Sequence, residues 1–324
     1  MAHFFLLPTN ENGLITDADI LTTDLPTALE APFNFSDIFL YSHGWCTNAT
    51  GAMQSYNKFG IGFAKTILQG LAQTDTPMPA HLAVGIHWPS LLSENQTSFV
   101  NFFEPLSYYS MEKRADAVGQ HAGYSFLRTL LENNKTLQRI NLIGHSFGCK
   151  VVLSTLQEVI KDSISTDLPV NVVLLEAACD DDDLAPGDIY GDVIGGFPNL
   201  RMLVTMSQQD TALQKYYPLA GRINLFHADD RQALGAVGPA DAVKALFSGN
   251  IGQINVAPGF DPTVSAVLAN LKKKFVVADL SAIHKYRNTA IPPNNPLYKA
   301  DSWGGSHSDI FFGELYALIA KFLY

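Results

Sequence analysis

Apolar residues fall along this chain in two rhythms that take turns. Short unbroken runs come at 3–7, 37–42, 81–87, 139–145, 170–175, 200–206 and 275–280. A run such as Val170–Leu175, apolar at all but one position, is what a strand covered on both faces requires. Between the runs, apolar residues recur at helical spacing. Phe59, Phe63, Ile67 and Leu71 mark one face over about 52–72, and Met111, Ala115, Val118, Ala122 and Phe126 another over about 110–131. Val152, Leu156, Val159 and Ile160 follow the run at 139–145, and Phe311, Leu315, Leu318 and Phe322 end the chain. Asp261-Pro262 reads as N-cap and first residue of a further helix that turns Val264, Val267, Leu268 and Leu271 inward. Strands alternating with helices predict the α/β class, with a mostly parallel twisted sheet and helices on both faces.

Two stretches break the alternation. Residues 88–109 carry Trp88, Phe99, Phe102, Phe103, Tyr108 and Tyr109 without a clean period, and read as an inserted aromatic cap or lid segment. Residues 221–260 are rich in Gly and Ala and read as an insertion before the last helix–strand unit. After the run at 275–280 comes a long loop holding Pro292, Pro293 and Pro296. With 324 residues and no internal repeat, one domain over 1–324 is the expectation.

Charge narrows the partners. Charged residues are only 16% of the chain and the net charge is −10, so nucleic acid and anionic membrane surfaces are not expected partners. No apolar run is long enough to span a membrane, and the N-terminus has no basic region before its short apolar run. Three cysteines, Cys46, Cys149 and Cys179, make a disulfide framework improbable on number alone and read as buried small hydrophobes. A reducing, cytoplasmic setting is the expectation, although a secreted chain trimmed of its signal reads the same.

The chemistry concentrates at Gly144-His145-Ser146-Phe147-Gly148, between a strand and a helix. A turn this tight has no room for side chains at its flanking positions, and it thrusts the Ser146 hydroxyl outward. The Phe147 N–H at the helix start is a donor for a developing oxyanion. A serine nucleophile needs a base, and the base an orienting acid, in the chain order serine, acid, histidine. Of nine histidines only His227, His284 and His307 come late enough. His307, just before the final helix, is the leading base and His284 its rival. Asp210 is the leading acid because it follows a strand end, where ligand-facing groups of such sheets lie. Asp180–Asp183 and Asp301 are the alternatives. The loop after the run at 37–42, His43-Gly44-Trp45, supplies the second oxyanion donor at Trp45 N–H, with Gly44 allowing close approach. His43 and His145 read as structural. No metal and no cofactor is required.

Together these residues resemble the α/β-hydrolase superfamily, and a bacterial group within it whose function is unsettled. The likeness rests on Tyr41–Trp45, Trp88-Pro89-Ser90, His145–Gly148, Ser207–Leu213 and Gly304–Ser308, in that order over about 37–323. His87 stands where members carry a smaller residue. The resemblance implies an α/β-hydrolase fold and a serine hydrolase acting on carboxylic esters of short to medium acyl chain. Ser146, Asp210 and His307 would be catalytic, Trp45 and Phe147 the oxyanion hole, and Gly44, Trp88, Phe102 and Phe103 the substrate contacts. The partner would be a small-molecule ester. The other class of reading is a non-catalytic module of the same fold that binds a ligand or protein.

Overall fold

The computed structural model describes residues 2–17, 20, 35–45, 47–74, 81–91, 105–133, 136–164, 166–223, 231–290 and 305–324. Eight strands form one sheet in the order β1-β3-β2-β4-β5-β6-β8-β7, and every neighbouring pair is parallel. They are β1 (Ala2–Pro8), β2 (Asp37–Ser42), β3 (His81–His87), β4 (Arg139–His145), β5 (Val170–Leu175), β6 (Leu200–Met206), β7 (Ile251–Asn255) and β8 (Phe275–Asp279). Every residue of β2 and β5 is buried, as their unbroken apolar pattern predicts. Two buried polar residues fix the register at the centre. Asn171 Nδ2 donates to Asn141 Oδ1 at 2.9 Å, and Asn141 Nδ2 donates to Ile38 O at 3.0 Å, linking β5, β4 and β2.

The sheet divides two apolar cores. One holds Met111, Ala115, Phe126, Val152 and Leu156 from the helices Pro105–Val118, Tyr124–Asn133 and Gly148–Lys161. The other holds Phe59, Phe63, Leu315, Leu318 and Phe322 from the helices Ala49–Thr74 and Gly313–Leu323. Helical spacing in the sequence thus marks the faces that meet the sheet. No helix of the described residues is long and apolar enough to cross a membrane.

Several elements differ from the sequence expectation. The segment 221–260 contains an edge strand, β7, whose short alternating pattern buries only Gly252 and Ile254. Asp261 is not an N-cap. It accepts from Thr263 N–H at 2.8 Å to close a turn, and the helix begins at Ser265, leaving Val264 half exposed rather than inward. A helix at Ser281–Ala290 follows β8 directly. Pro292, Pro293 and Pro296 lie outside the described residues.

The helical stretch predicted over about 110–131 is two helices joined by a π-turn at Gly119–Gly123. The reason is a close crossing with Gly148–Lys161. A Cβ at Gly119 would sit 2.4 Å from Val151 O, and one at Gly123 would sit 2.0 Å from Thr155 Oγ1. This contact sets the height of the helix that begins just after Ser146. In a free helix, Gly→Ala would stabilise by about 1 kcal/mol through propensity. Here Gly119→Ala is expected to destabilise the fold by about 1–3 kcal/mol through overpacking against backbone. Urea unfolding with an unchanged slope and a lower midpoint is the expected result; a midpoint equal to or above wild type would contradict the packing account.

Candidate active site

Ser146, Asp210 and the loop at 43–45 follow the carboxyl ends of parallel strands, where open α/β sheets present ligand-facing residues. Ser146 follows β4 with φ of 56°, a left-handed backbone that is costly for a residue with a side chain. Two hydrogen bonds to the neighbouring strand end hold it: Ser146 N–H to Leu175 O at 3.0 Å and Ala178 N–H to Ser146 O at 3.3 Å. The flanking glycines are required by contact. A Cβ at Gly144 would lie 2.5 Å from Gly148 O, and one at Gly148 would lie 2.2 Å from Ser42 O.

Ser146 Oγ lies 2.8 Å from His307 Nε2, and His307 Nδ1 lies 2.7 Å from Asp210 Oδ2. The carboxylate accepts from Nδ1–H, so Nε2 is left to accept the serine proton. Asp210 is fully buried, and its other oxygen accepts from Leu213 N–H at 2.9 Å. His307 reaches this position from a distant segment because its loop is pinned on both sides. Gly305, at φ of 63°, bridges Asp210, and Ser306 N–H donates to Gln209 O at 3.2 Å. His145 Nε2 donates to His307 O at 2.8 Å. Behind the loop, Arg287 grips Asp309 with Nε at 2.6 Å from Oδ2 and Nη2 at 2.7 Å from Oδ1, a charge-assisted fork. Asn288 Nδ2 donates to Ser306 Oγ at 3.0 Å.

The loop after β2 lies against the serine. A Cβ on Gly44 would come within 2.8 Å of Ser146 Cβ, so only glycine allows this approach. His43 holds the loop: Nδ1 donates to Gly44 O at 2.8 Å, and Nε2 faces Trp88 N–H at 3.4 Å. Trp88 is fully buried, stacks on His43 at 5.4 Å and donates from Nε1 to His43 O at 3.1 Å. Expected at the substrate, it instead supports the loop from beneath. Trp45 packs against Phe147 at 5.8 Å and Tyr108 at 5.9 Å, an aromatic wall beside the serine. Cys149 and Cys179 are buried, as expected. Cys46, Phe102, Phe103, Gly304, Asp301 and His227 lie outside the described residues.

The rival candidates are occupied elsewhere. His284 is fully buried, with Nδ1 2.9 Å from Ser207 Oγ and Nε2 3.1 Å from Asp309 O. Asp180 takes Arg231 Nε at 2.9 and 2.7 Å and Tyr217 Oη–H at 2.8 Å, while Asp183 lies 3.8 Å from Lys150 Nζ. These acids line a separate polar cavity of about 470 Å³ with Glu112 and Lys150.

One acidic residue that sequence reasoning passed over stands in the middle of the site. Glu176, at the end of β5, is fully buried with φ of 44°. Its Oε2 is 3.9 Å from His307 Nδ1 and its Oε1 3.4 Å from His284 Nδ1. The signal was a lone Glu closing a buried strand before two alanines. His145, Glu176 and His307 bring ligand-type atoms within 4.8 Å of one another. Both ring nitrogens of His307 and Nε2 of His145 are already engaged by protein partners.

An eight-stranded parallel sheet with these groups at its carboxyl edge defines an α/β hydrolase fold. Residues 53–235, more than half of the chain, match the model of a family described as alpha/beta hydrolases of unknown function (DUF900), and the chain belongs to that family. No curated protein matches the chain.

Two buried imidazoles give the site a pH signature. Burial pushes His43 down to about 3, against the opposing pull of its bond to Gly44 O. Burial, and then the neighbouring His307, push His145 down to about 3. Unfolded, these rings take up protons near their ordinary value; folded, they resist until about pH 3. Unfolding therefore binds protons between about pH 6.5 and 3, and this part of the stability, complete above that window, is lost as pH falls through it. Tm is expected to drop across the window more steeply in wild type than in His145→Gln. Parallel pH profiles for the two proteins would contradict the assignment of His145 as a buried neutral ring.

Proposed function

We propose that this protein is a serine hydrolase that cleaves small, uncharged carboxylic esters through an acyl-enzyme. The observation that carries the reading is the pair of short contacts through His307, 2.8 Å to Ser146 Oγ and 2.7 Å to Asp210 Oδ2, on a strained strand-to-helix turn. Ser146 Oγ attacks the acyl carbon while its proton passes to His307 Nε2. Asp210 keeps the Nδ1 proton in place and stabilises the imidazolium that forms. The oxyanion of the tetrahedral intermediate is received by Phe147 N–H, at the start of the helix Gly148–Lys161, and by Trp45 N–H on the loop that Gly44 brings close. Collapse expels the alcohol, which leaves with the proton from Nε2. Water then repeats the sequence on the acyl-enzyme and frees the acid.

In this reading the whole chain acts as one domain without metal or cofactor, and the aromatic segment at 88–109 offers an apolar wall to the acyl chain. Phe102 and Phe103 are its expected contacts, and Trp45 and Tyr108 are expected to add apolar surface to the same wall. Each methylene buried there adds roughly 0.8 kcal/mol of binding.

Ser146→Ala should fold as wild type does and lose nearly all turnover of p-nitrophenyl esters, keeping only what oxyanion binding alone provides. Across acetyl, butyryl, hexanoyl and octanoyl esters, kcat/KM should rise from acetyl before levelling, and Phe102→Ala with Phe103→Ala should flatten that rise. Turnover by Ser146→Ala at the wild-type rate would end the reading, whereas a wild type that neither turns over these esters nor takes a fluorophosphonate label on Ser146 would be a binding module. A flat profile in wild type would remove the acyl wall alone.

A further inference from the structure

Two strand ends side by side carry a residue in the left-handed region, Ser146 after β4 and Glu176 after β5. The first is explained by the nucleophile; the second needs its own account, because such backbone is costly and persists where the surroundings enforce it. Those surroundings are specific. Glu176 N–H donates to Thr205 Oγ1 at 3.0 Å, and Gly235 packs so tightly that a Cβ there would lie 2.6 Å from Glu176 Cα. The carboxyl is thereby driven inward, beneath the His307–Asp210 pair.

It arrives there without hydrogen bonds. Among the described residues, neither Oε1 nor Oε2 of Glu176 has a hydrogen-bond partner, although both atoms are shut from solvent. An ionised carboxylate in that condition is strongly unfavourable. The groups that face it are His145 and Cys149 from β4 and its helix, Asp210 after β6, His284 from Ser281–Ala290, and His307 and Asp309 from the last loop. Burial first, and then the negative charges of Asp210 and Asp309, push Glu176 well above the usual carboxylate range. Arg287 is already matched by Asp309.

Asp210 is the opposite case. Its two oxygens accept from Leu213 N–H and from His307 Nδ1–H, so it is the carboxyl built to hold the negative charge. Like charges this close repel, and Glu176, the carboxyl without hydrogen bonds, is the one whose charged form is disfavoured. Both carboxyls face the same nitrogen of His307, at 2.7 and 3.9 Å.

We propose that Glu176 is a second positioning acid for His307, holding a proton while Asp210 orients the imidazole and taking over Nδ1–H when Asp210 is removed. The assignment rests on the serine-hydrolase reading, since it gives Glu176 a part in that reaction. In the takeover Glu176 releases its proton to water and becomes the carboxylate that accepts from Nδ1–H, so the charge beside the imidazole stays at one.

The test is a double-mutant cycle on the rate at which a fluorophosphonate probe labels Ser146, using wild type, Asp210→Ala, Glu176→Gln and the double variant, with Ser146→Ala as the blank. Glu176→Gln is expected to slow labelling at least tenfold more in the Asp210→Ala background than in the wild-type background. Equal effects in both backgrounds would overturn the proposal and leave the hydrolase reading intact. Absence of labelling in wild type would remove both. Infrared difference spectra give a second readout that needs no glutamine variant: the C=O stretch of a buried protonated carboxyl, present in wild type at neutral pH, should vanish in Asp210→Ala as Glu176 ionises. Persistence of that band would contradict the takeover.

Discussion

The left-handed backbone of Ser146 is the constraint on which the remaining geometry depends. A serine at φ of 56° does not hold that conformation by local preference. It holds it because Leu175 of β5 accepts its N–H and Ala178, just past that strand, donates to its carbonyl, and because Gly144 and Gly148 remove the two side chains that would collide with the turn. The helix that follows is then seated by another pair of glycines, Gly119 and Gly123, against Val151 and Thr155. Sheet register, turn and helix packing all converge on one hydroxyl. The strain at Ser146 is offset by interactions distributed over β4, β5 and two helices, a division of cost typical of functional sites.

The partner of that hydroxyl is delivered by a different device. His307 lies in a turn within 305–312, ahead of the final helix, and a loop residue is positioned only when its backbone is tied down. Here the ties are the Asp210–Gly305 bridge, the His145 bond to His307 O, and the Arg287–Asp309 pair behind it. Two of these come from residues next to the site groups themselves, so serine, acid and base are coupled through backbone as well as side chains. His145 and His43 remain neutral in this setting through burial, and add no positive charge to compete for the carboxylates.

Much of this was legible in the residues. The unbroken runs gave the central strands β2 to β6 because strands covered on both faces need apolar residues at nearly every position. The chain order and strand-end placement of Ser146, Asp210 and His307 named the groups that the structure brings within hydrogen-bond distance. What stayed hidden shares one physical cause: dependence on neighbours distant in sequence. The edge strand β7 buries few side chains, so its pattern is weak. Trp88 looked like a substrate contact because the sequence cannot show that His43 lies flat upon it. Asp180 and Asp183 could be set aside only once Arg231 and Lys150 were seen beside them. Glu176 is the extreme case, since its interest lies in the partners it lacks.

The central claim is that the Ser146 hydroxyl, poised by His307, becomes covalently acylated. The most direct measurement is rapid mixing of the protein with excess p-nitrophenyl butyrate, followed by acid quench and peptide mass analysis. The account predicts a burst of p-nitrophenol approaching one equivalent per chain and a butyryl mass increment on the peptide containing Ser146. Release of p-nitrophenol with no adduct on that peptide, or an adduct on a different residue, would contradict it.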